Sequence, residues 1–288
     1  MRRAITALYL LLWSSLLFAG NVPIWETDTG HNRIILLGSI HYLRPSDYPL
    51  PAAFDQAMAD ADIVLMEIDM DDLDPMATMM AMETLGRDAA GQTLQDFIGA
   101  SRYREVKSRA GSLGIPMMLL DDKKPWYAAM LISQMRLGQM GFDSSWGIES
   151  RYLAEARATG KSIAGLETLS EQLGALDSMS VDAQTAFLME TLNDAAEAQS
   201  EMNEILSAWK TGDDATMETA LLEGMGAIPE LYENVVVRRN RNWVKKLESL
   251  DYRNDGKTIL VIVGGMHLVG EDSVQRLSGW NFKQLSSE

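Results

Sequence analysis

Two apolar runs constrain this chain more than any other feature. ILLGSIHYL (35–43) and VIVGGMHLV (261–269) each break at a glycine and place a histidine three residues later, at His41 and His267. Short runs rich in Val, Ile and Leu that stop at Gly read as strands buried on both faces. Such strands belong in a sheet covered by helices. The residues just beyond their carboxyl ends line the crevice where open α/β sheets bind ligands. The chain has only three histidines, and two of them occupy the same place in two copies of one pattern. The pattern predicts that these two meet on neighbouring strands, although 226 positions (267 − 41) separate them.

The remaining segments fit that frame. PAAFDQAMADA (51–61) predicts a helix with Pro51 in its first turn, and DIVLMEID (62–69) a second buried strand. Residues 71–109 are helical in character, broken near Gly86 and Gly91. IPMMLLD (115–121) predicts a third strand and SIAGLET (162–168) a fourth. KPWYAAMLISQMRLGQ and GIESRYLAEARATGK read as helices between these two. A long helical region runs from Ser170 to Leu250, punctuated at Gly212 and Gly224–Pro229. KTILVIVGGMHLVG closes the sheet, DSVQRLSGW reads as a short helix and NFKQL as an edge strand. The expected fold class is α/β: a mixed central sheet flanked by helices, with a helical cap insertion at about 170–250.

MRRAITALYLLLWSSLLFAG has two arginines, an apolar stretch and then small residues, the layout of a secretory signal peptide. The expectation is a leader over 1–20, a single mature domain over 21–288 and an exported protein, periplasmic or secreted. A retained membrane anchor is the competing reading. No later segment is long and apolar enough to span. The net charge of −16 repels phosphate backbones and argues against nucleic-acid partners. The absence of Cys excludes disulfides, thiolate metal sites and a Cys nucleophile. No Gly-x-Ser-x-Gly elbow or phosphate loop is present.

A converging His pair can ligate a metal, perform acid–base chemistry or, when charged, hold an anion. Glu67 closes the Val-Leu-Met run of the second strand and so reaches the same sheet edge. Two His and one carboxylate leave coordination positions open, as hydrolytic metals require. The plainer reading makes each His a hydrogen-bonded loop residue and pairs Glu67 with an arginine. His31 falls in a turn before the first strand and reads as solvated. The 19 methionines, dense in DMDDLDPMATMMAMET, fit irregular packing and adaptable grooves better than copper(I) binding. DMDDLD lacks the glycine and distal Glu of a calcium loop and reads as a solvated acidic turn. Trp126 reads as a packing anchor.

LLGSIHYL, VLMEID, GLETLSEQ, RRNRNW and VGGMHLVG together resemble, in this order, the motifs of the TraB/GumN family, which includes the membrane-tethered Tiki metalloproteases. The resemblance runs from Trp25 to about Phe282. Its motifs fall on Gly38 with His41, Gly264 with His267, Glu67, Glu167 with Gln172, and Arg239 with Asn240. Glu149 stands where the family has a shorter acid, Ser39 where Thr is commoner and Met266 where a small residue is commoner. The resemblance implies hydrolysis of a peptide or protein substrate that depends on a divalent metal, manganese or cobalt before zinc. In that scheme His41 and His267 ligate, Glu67 ligates or takes a proton, and Arg239 stabilises the oxyanion. Glu149, Glu167, Gln172 and Asn240 support them, with a surface position for Glu149 the equal alternative; Arg238 and Arg241 read as solvated on a basic helix face, and the plainer reading of Arg239 is the same. The alternative within the same family is a non-catalytic module for metal, haem or peptide.

Overall fold

The computed structural model describes residues 21–193, 198–251, 253 and 256–286. The leader expected over 1–20 lies outside them. Six strands form one sheet: β1 (Asn21–Asp28), β2 (Arg33–Ser39), β3 (Ile63–Ile68), β4 (Ser162–Glu167), β5 (Thr258–Gly264) and β6 (Lys283–Ser286), in the order β4-β3-β5-β2-β1-β6. The first four in that order are mutually parallel, and β1 runs antiparallel to both β2 and β6. The sheet is therefore mixed, as expected. Strand β5, late in the chain, inserts between β2 and β3, so the two Gly-x-x-His strands are neighbours with Ser39 opposite Gly264.

Helices fill the connections. The first five are α1 (Ala52–Asp60), α2 (Pro75–Leu85), α3 (Leu94–Ser112), α4 (Pro125–Gln139) and α5 (Ile148–Thr159). Between β4 and β5 run α6 (Leu169–Asp177), α7 (Val181–Asn193), α8 (Ala198–Thr211), α9 (Asp214–Met225), α10 (Pro229–Tyr232) and α11 (Arg238–Asp251). A last short helix, α12 (Val274–Leu277), follows β5. None of these is long and apolar enough to cross a membrane.

Alternation along the strands divides the core in two. Ile35, Leu37, Leu260 and Ile262 face α1, α5, α8 and α9, while Ile34, Leu36, Val261 and Val263 face Trp243, Val244 and Leu247 of α11. A separate helical core gathers Leu94, Ile98 and Val106 of α3, Ile132 of α4 and Leu188 of α7. The helical layer thus draws on two chain segments, α3–α4 before β4 and the helices after it, rather than on 170–250 alone. Trp126 is fully buried in it, and its ring N–H donates to Asp177 at 2.8 Å.

Two elements differ from the sequence expectation. IPMMLLD is not a strand: Met117–Leu119 form a short 3₁₀ turn that carries the chain from α3 to α4. Ile115 and Leu120 are buried in the helical core, but Met118 is 80 % exposed, and β3 already has β4 and β5 as its neighbours. Conversely, NVPIWETD forms β1. Pro23 cannot donate to a ladder, and it falls in the stretch between Asn21 and Trp25 where pairing with β6 changes register.

Because β5 is central and buried along its length, Ile262→Ala is expected to destabilise the protein by about 2–5 kcal/mol. Leu222→Ala on the exposed side of α9 is expected to change stability by no more than about 0.5 kcal/mol. Urea unfolding followed by circular dichroism tests both, and equal effects would show that the core is misassigned.

Candidate functional site

The carboxyl ends of β2, β3, β4 and β5 deliver four motif segments to one place. Glu67 leaves the end of β3 with its side chain buried, and Glu167 leaves the end of β4 one residue out of line with it. The chain turns after β5 in a 3₁₀ turn, Gly265–Leu268, that buries His267 to 1 % exposure. His41 lies beyond the end of β2 with 54 % of its side chain open. Arg239 and Asn240 come from the first turn of α11, directly after a five-residue π-helical turn, Glu233–Val237. Such turns recur at functional sites because they re-aim the residues that follow.

Arg239 is the hub. Its Nη2 donates to Oε2 of Glu67 at 2.5 Å and to Oε1 of Glu167 at 2.6 Å, and its Nε donates to both oxygens of Glu167 at 2.9 and 3.2 Å. Nη1 donates to the Val235 carbonyl at 3.2 Å and lies 3.2 Å from Nε2 of His267. The guanidinium also lies 4.7 Å above the Trp243 ring, whose N–H donates to Glu167 at 3.1 Å. Burial opposes charge on Arg239, but Glu67 and Glu167 overcome it and raise its pKa. Burial likewise opposes the Glu67 carboxylate, yet Arg239, His267 and His41 bring it down to about 2. On Glu167 burial wins, and the pKa is raised despite Arg239. Every N–H direction of the guanidinium is engaged. A role for Arg239 at a developing oxyanion requires that it give up one of these contacts.

The two histidines stand in opposite environments. Nδ1 of His41 meets Oε1 of Glu149 at 2.9 Å, and its Nε2 lies 3.9 Å from Oε1 of Glu67. The charge of Glu149 raises the His41 pKa to about 9 against the burial that opposes it. Glu149 is 7 % exposed, sits in the first turn of α5 and also accepts from the Ser39 hydroxyl. Burial opposes its charge, and His41 nonetheless lowers its pKa. Glu149 is thus a partner of the site and not a surface residue. His267 is pushed down to about 3 by burial, with Glu67 opposing and Arg239 adding to the effect. Its Nδ1 lies 2.6 Å from Oδ1 of Asn240, whose amide nitrogen is committed to the carbonyls of Asp272 and His267 at 2.7 and 3.3 Å. That network assigns the proton to Nδ1 and leaves the Nε2 lone pair facing Arg239.

Glycines permit the approach. Gly264 donates its N–H to Oε1 of Glu67 at 2.7 Å. A Cβ on Gly264 would lie 3.2 Å from that oxygen and 3.6 Å from both Nε2 of His41 and Cδ2 of His267, so the three side chains enclose this spot. Gly38 approaches Gly265, where an added Cβ would lie 3.3 Å from the Gly265 Cα. Gln172 donates to Glu67 at 2.9 Å and to Glu167 at 3.3 Å. His31 lies elsewhere, in the exposed β1–β2 turn.

All the sequence-predicted site residues gather here, with Gly38 beneath them. Three further residues join that sequence reasoning had not singled out. Gly147 sits where a Cβ would meet the His41 carbonyl at 2.2 Å, which fixes α5 against the end of β2. Trp243 packs 4.5 Å from the His267 ring, and its spacing from Arg239, i and i+4 on one helix, was the available signal. Trp209 of α8 donates to the Gly38 carbonyl at 2.7 Å, a contact with no local signature. The centre opens into a cavity of about 740 Å³ roofed by α4, α6, α8 and α9.

Among the described residues no three His, Asp or Glu side chains stand in ligating geometry for a metal. The donor chemistry nonetheless fits a cation. Two carboxylates, Glu67 and Glu167, share one guanidinium, a third, Glu149, pairs with His41, and neutral His41 with Nδ1–H given to Glu149 would present Nε2 beside Glu67. The one obstacle is Arg239, which engages Nε2 of His267.

Fold and site define an α/β protein with a histidine–carboxylate–guanidinium centre at the strand carboxyl ends, under a helical roof. The chain belongs to the TraB/PrgY/gumN family, whose model matches residues 23–278. No curated protein matches it, and no solved structure does.

The His41–Glu149 pair makes a pH prediction. His41 in the folded protein lies above its ordinary value of 6.5, so the pair's stabilisation is complete below about pH 6.5 and is lost as pH rises through about 9. Glu149→Gln is expected to bring the His41 midpoint down towards 6.5 and to flatten the fall in melting temperature over this window. Proton NMR of the three His rings reads the midpoint; one unchanged in Glu149→Gln would refute the assignment.

Proposed function

We propose that this chain is a hydrolase of amide bonds in peptides that works with a divalent cation, manganese or cobalt before zinc, outside the cytoplasm. The observation that carries the reading is the enclosure of the Gly264 spot by His41, His267 and Glu67 at the floor of a large cavity. Family membership and the leader-like first twenty residues support the activity and the location, respectively.

His41 Nε2, Oε1 of Glu67 and His267 Nε2 are the groups that would hold the cation. When bound, a divalent cation supplies Lewis-acid polarisation of a carbonyl and acidifies water. The chain's own residues supply orientation. Glu149 and Asn240 fix the two imidazoles through their Nδ1 atoms, the outer hydrogen bonds that metal-ligating histidines generally make. Arg239 and Gln172 occupy Oε2 of Glu67, while Oε1 accepts only the Gly264 N–H among the described residues and faces His41 with its other lone pair. Oε1 is therefore the oxygen that ligates or takes a proton.

A second reading, a non-catalytic module that binds metal, haem or peptide, is favoured by one contact: Nε2 of His267 is already engaged by Arg239. The same experiment separates the two. Protein stripped of metal is supplied with manganese, cobalt or zinc and offered a peptide library read by mass spectrometry, and cation binding is measured by calorimetry. Cleavage is expected only with cation and is expected to vanish in His41→Ala and His267→Ala. Asn240→Ala is expected to weaken cation binding by about 10–100-fold. Cation binding without cleavage of any peptide would replace the hydrolase reading with the binding module.

A further inference from the structure

The cavity is chemically divided. Its ionisable side chains apart from Tyr42, namely His41, Glu67, Glu149, Arg239 and His267, all belong to the centre at the strand ends. Its polar neutral side chains Ser39 and Gln172 bind Glu149 and Glu67, and Ser144 and Ser150 flank Glu149 at the start of α5. Tyr42 adds one phenol, and the helical part of the wall is hydrocarbon and thioether: Met130 and Leu137 of α4, Met202 of α8, and Met217, Leu221 and Met225 of α9. These residues lie on helices, whose main-chain groups are spent in their own ladders.

That division bears on what can lie inside. Each residue of a bound peptide backbone brings one N–H and one C=O, and leaving such groups dry and unpaired is costly. Peptides commonly meet this need by adding to an open strand edge. Here the edge strands β4 and β6 contribute no residue to the cavity wall. A hydrocarbon chain brings no group that needs a partner, and Met side chains adapt to its shape. The volume, about 740 Å³, is within the range of small-molecule sites. The surplus of carboxylates at the centre disfavours a free fatty carboxylate and favours a neutral amide as the polar end of the occupant.

We propose that the substrate is an N-acylated peptide whose long hydrocarbon chain fills the Met-lined cavity, with its acyl carbonyl at the His41–Glu67–Arg239 centre and its peptide part leaving past half-exposed His41. Water adds its oxygen to the acyl carbon, and the carbon–nitrogen bond breaks with its electron pair going to nitrogen. A proton from that water ends on the departing amine, and the products are a fatty carboxylate and a peptide with a free amino terminus. The chemistry rests on the hydrolase reading above; the choice of occupant does not.

Binding is measured by calorimetry on the full protein in chelator, where no cation-dependent turnover competes. The probes are an N-dodecanoyl peptide, the same peptide N-acetylated, and dodecanoate. The dodecanoyl peptide is expected to bind at least about tenfold tighter than the acetyl peptide, since burying even a few methylenes outweighs 1.4 kcal/mol. It is also expected to bind tighter than dodecanoate. Met202→Glu and Met225→Glu, both at partly buried positions, are expected to erase that advantage while circular dichroism and melting temperature stay near those of Met79→Glu, an exposed control on α2. Equal binding of the two peptides, or a preference untouched by both cavity variants, would overturn the proposal. With cation restored, release of the free-amino peptide from the dodecanoyl substrate supports it. Equal kcat/KM for acylated and unacylated peptides would overturn it and leave the hydrolase reading standing. Acyl-dependent binding without hydrolysis would sink the hydrolase reading and leave the occupant standing.

Discussion

The ionic web around Arg239 is the constraint on which the site depends. Parallel neighbours β3 and β4, with glutamate at the penultimate residue of one and the last of the other, bring two carboxylates together where water is scarce. Neither Glu67 nor Glu167 can stay ionised there without a partner, and a buried charge that loses its partner costs about 3–5 kcal/mol. One guanidinium answers both, and in doing so it ties α11 to β3 and β4 and to the turn after β5. The planar fork suits this task because it can donate in several fixed directions at once; a lysine in its place could not reach both acids and the Val235 carbonyl. The web also explains why Trp243 lies where it does. It covers the guanidinium and the His267 ring while its own N–H is satisfied by Glu167.

The repeated Gly-x-x-His pattern produces a pair of unlike histidines. Each glycine lets its strand end approach the other, so the local geometry is shared. The environments are not. His41 looks towards α5 and gains a carboxylate, which favours its charged form. His267 looks beneath α11, loses water and meets a guanidinium, which favours its neutral form. The sequence pattern places imidazoles; the packed helices decide their proton states. The two imidazoles are therefore not equivalent, and the side of the site held by His267 is the one that Arg239 controls.

The strands that carry the site were legible because hydrophobic runs without alternation are diagnostic of a covered parallel sheet, and β2, β3, β4 and β5 all show them. The neighbourhood of β2 and β5 followed from the shared pattern. β1 escapes the sequence reading because Pro23 interrupts its short apolar stretch, Val22–Trp25, which gives way at once to polar Glu26–Asp28. IPMMLLD was misread because apolar composition alone does not distinguish a buried strand from a turn pinned at Ile115 and Leu120. Within the site, the residue types were legible through motif resemblance, but their partnerships were not. Arg239 and Glu167 are 72 positions apart (239 − 167), and nothing local in either segment states that one guanidinium serves two acids. Glu149 was undecidable from its own helix, since an acid in a first turn is equally at home in water; its burial comes from Gly147 seating α5 against the His41 backbone.

The roof and the centre come from different parts of the chain but do not act separately. Trp209 of α8 is fully packed against Phe54 and donates into the Gly38 carbonyl, so the helix that supplies Met202 to the cavity wall also holds the end of β2. Met217 of α9 reaches the Gly265 position in the same way, and its methyl would lie 3.4 Å from a Cβ placed there. A displacement of α8 and α9 large enough to admit a ligand must therefore either break the indole hydrogen bond or move the two glycine turns with it. The first costs a buried donor its partner, and the second shifts His41 and His267 relative to Glu67. Whatever enters the cavity is read by the same two helices that set the spacing of the histidines, which couples occupancy of the apolar chamber to the geometry of the charged centre.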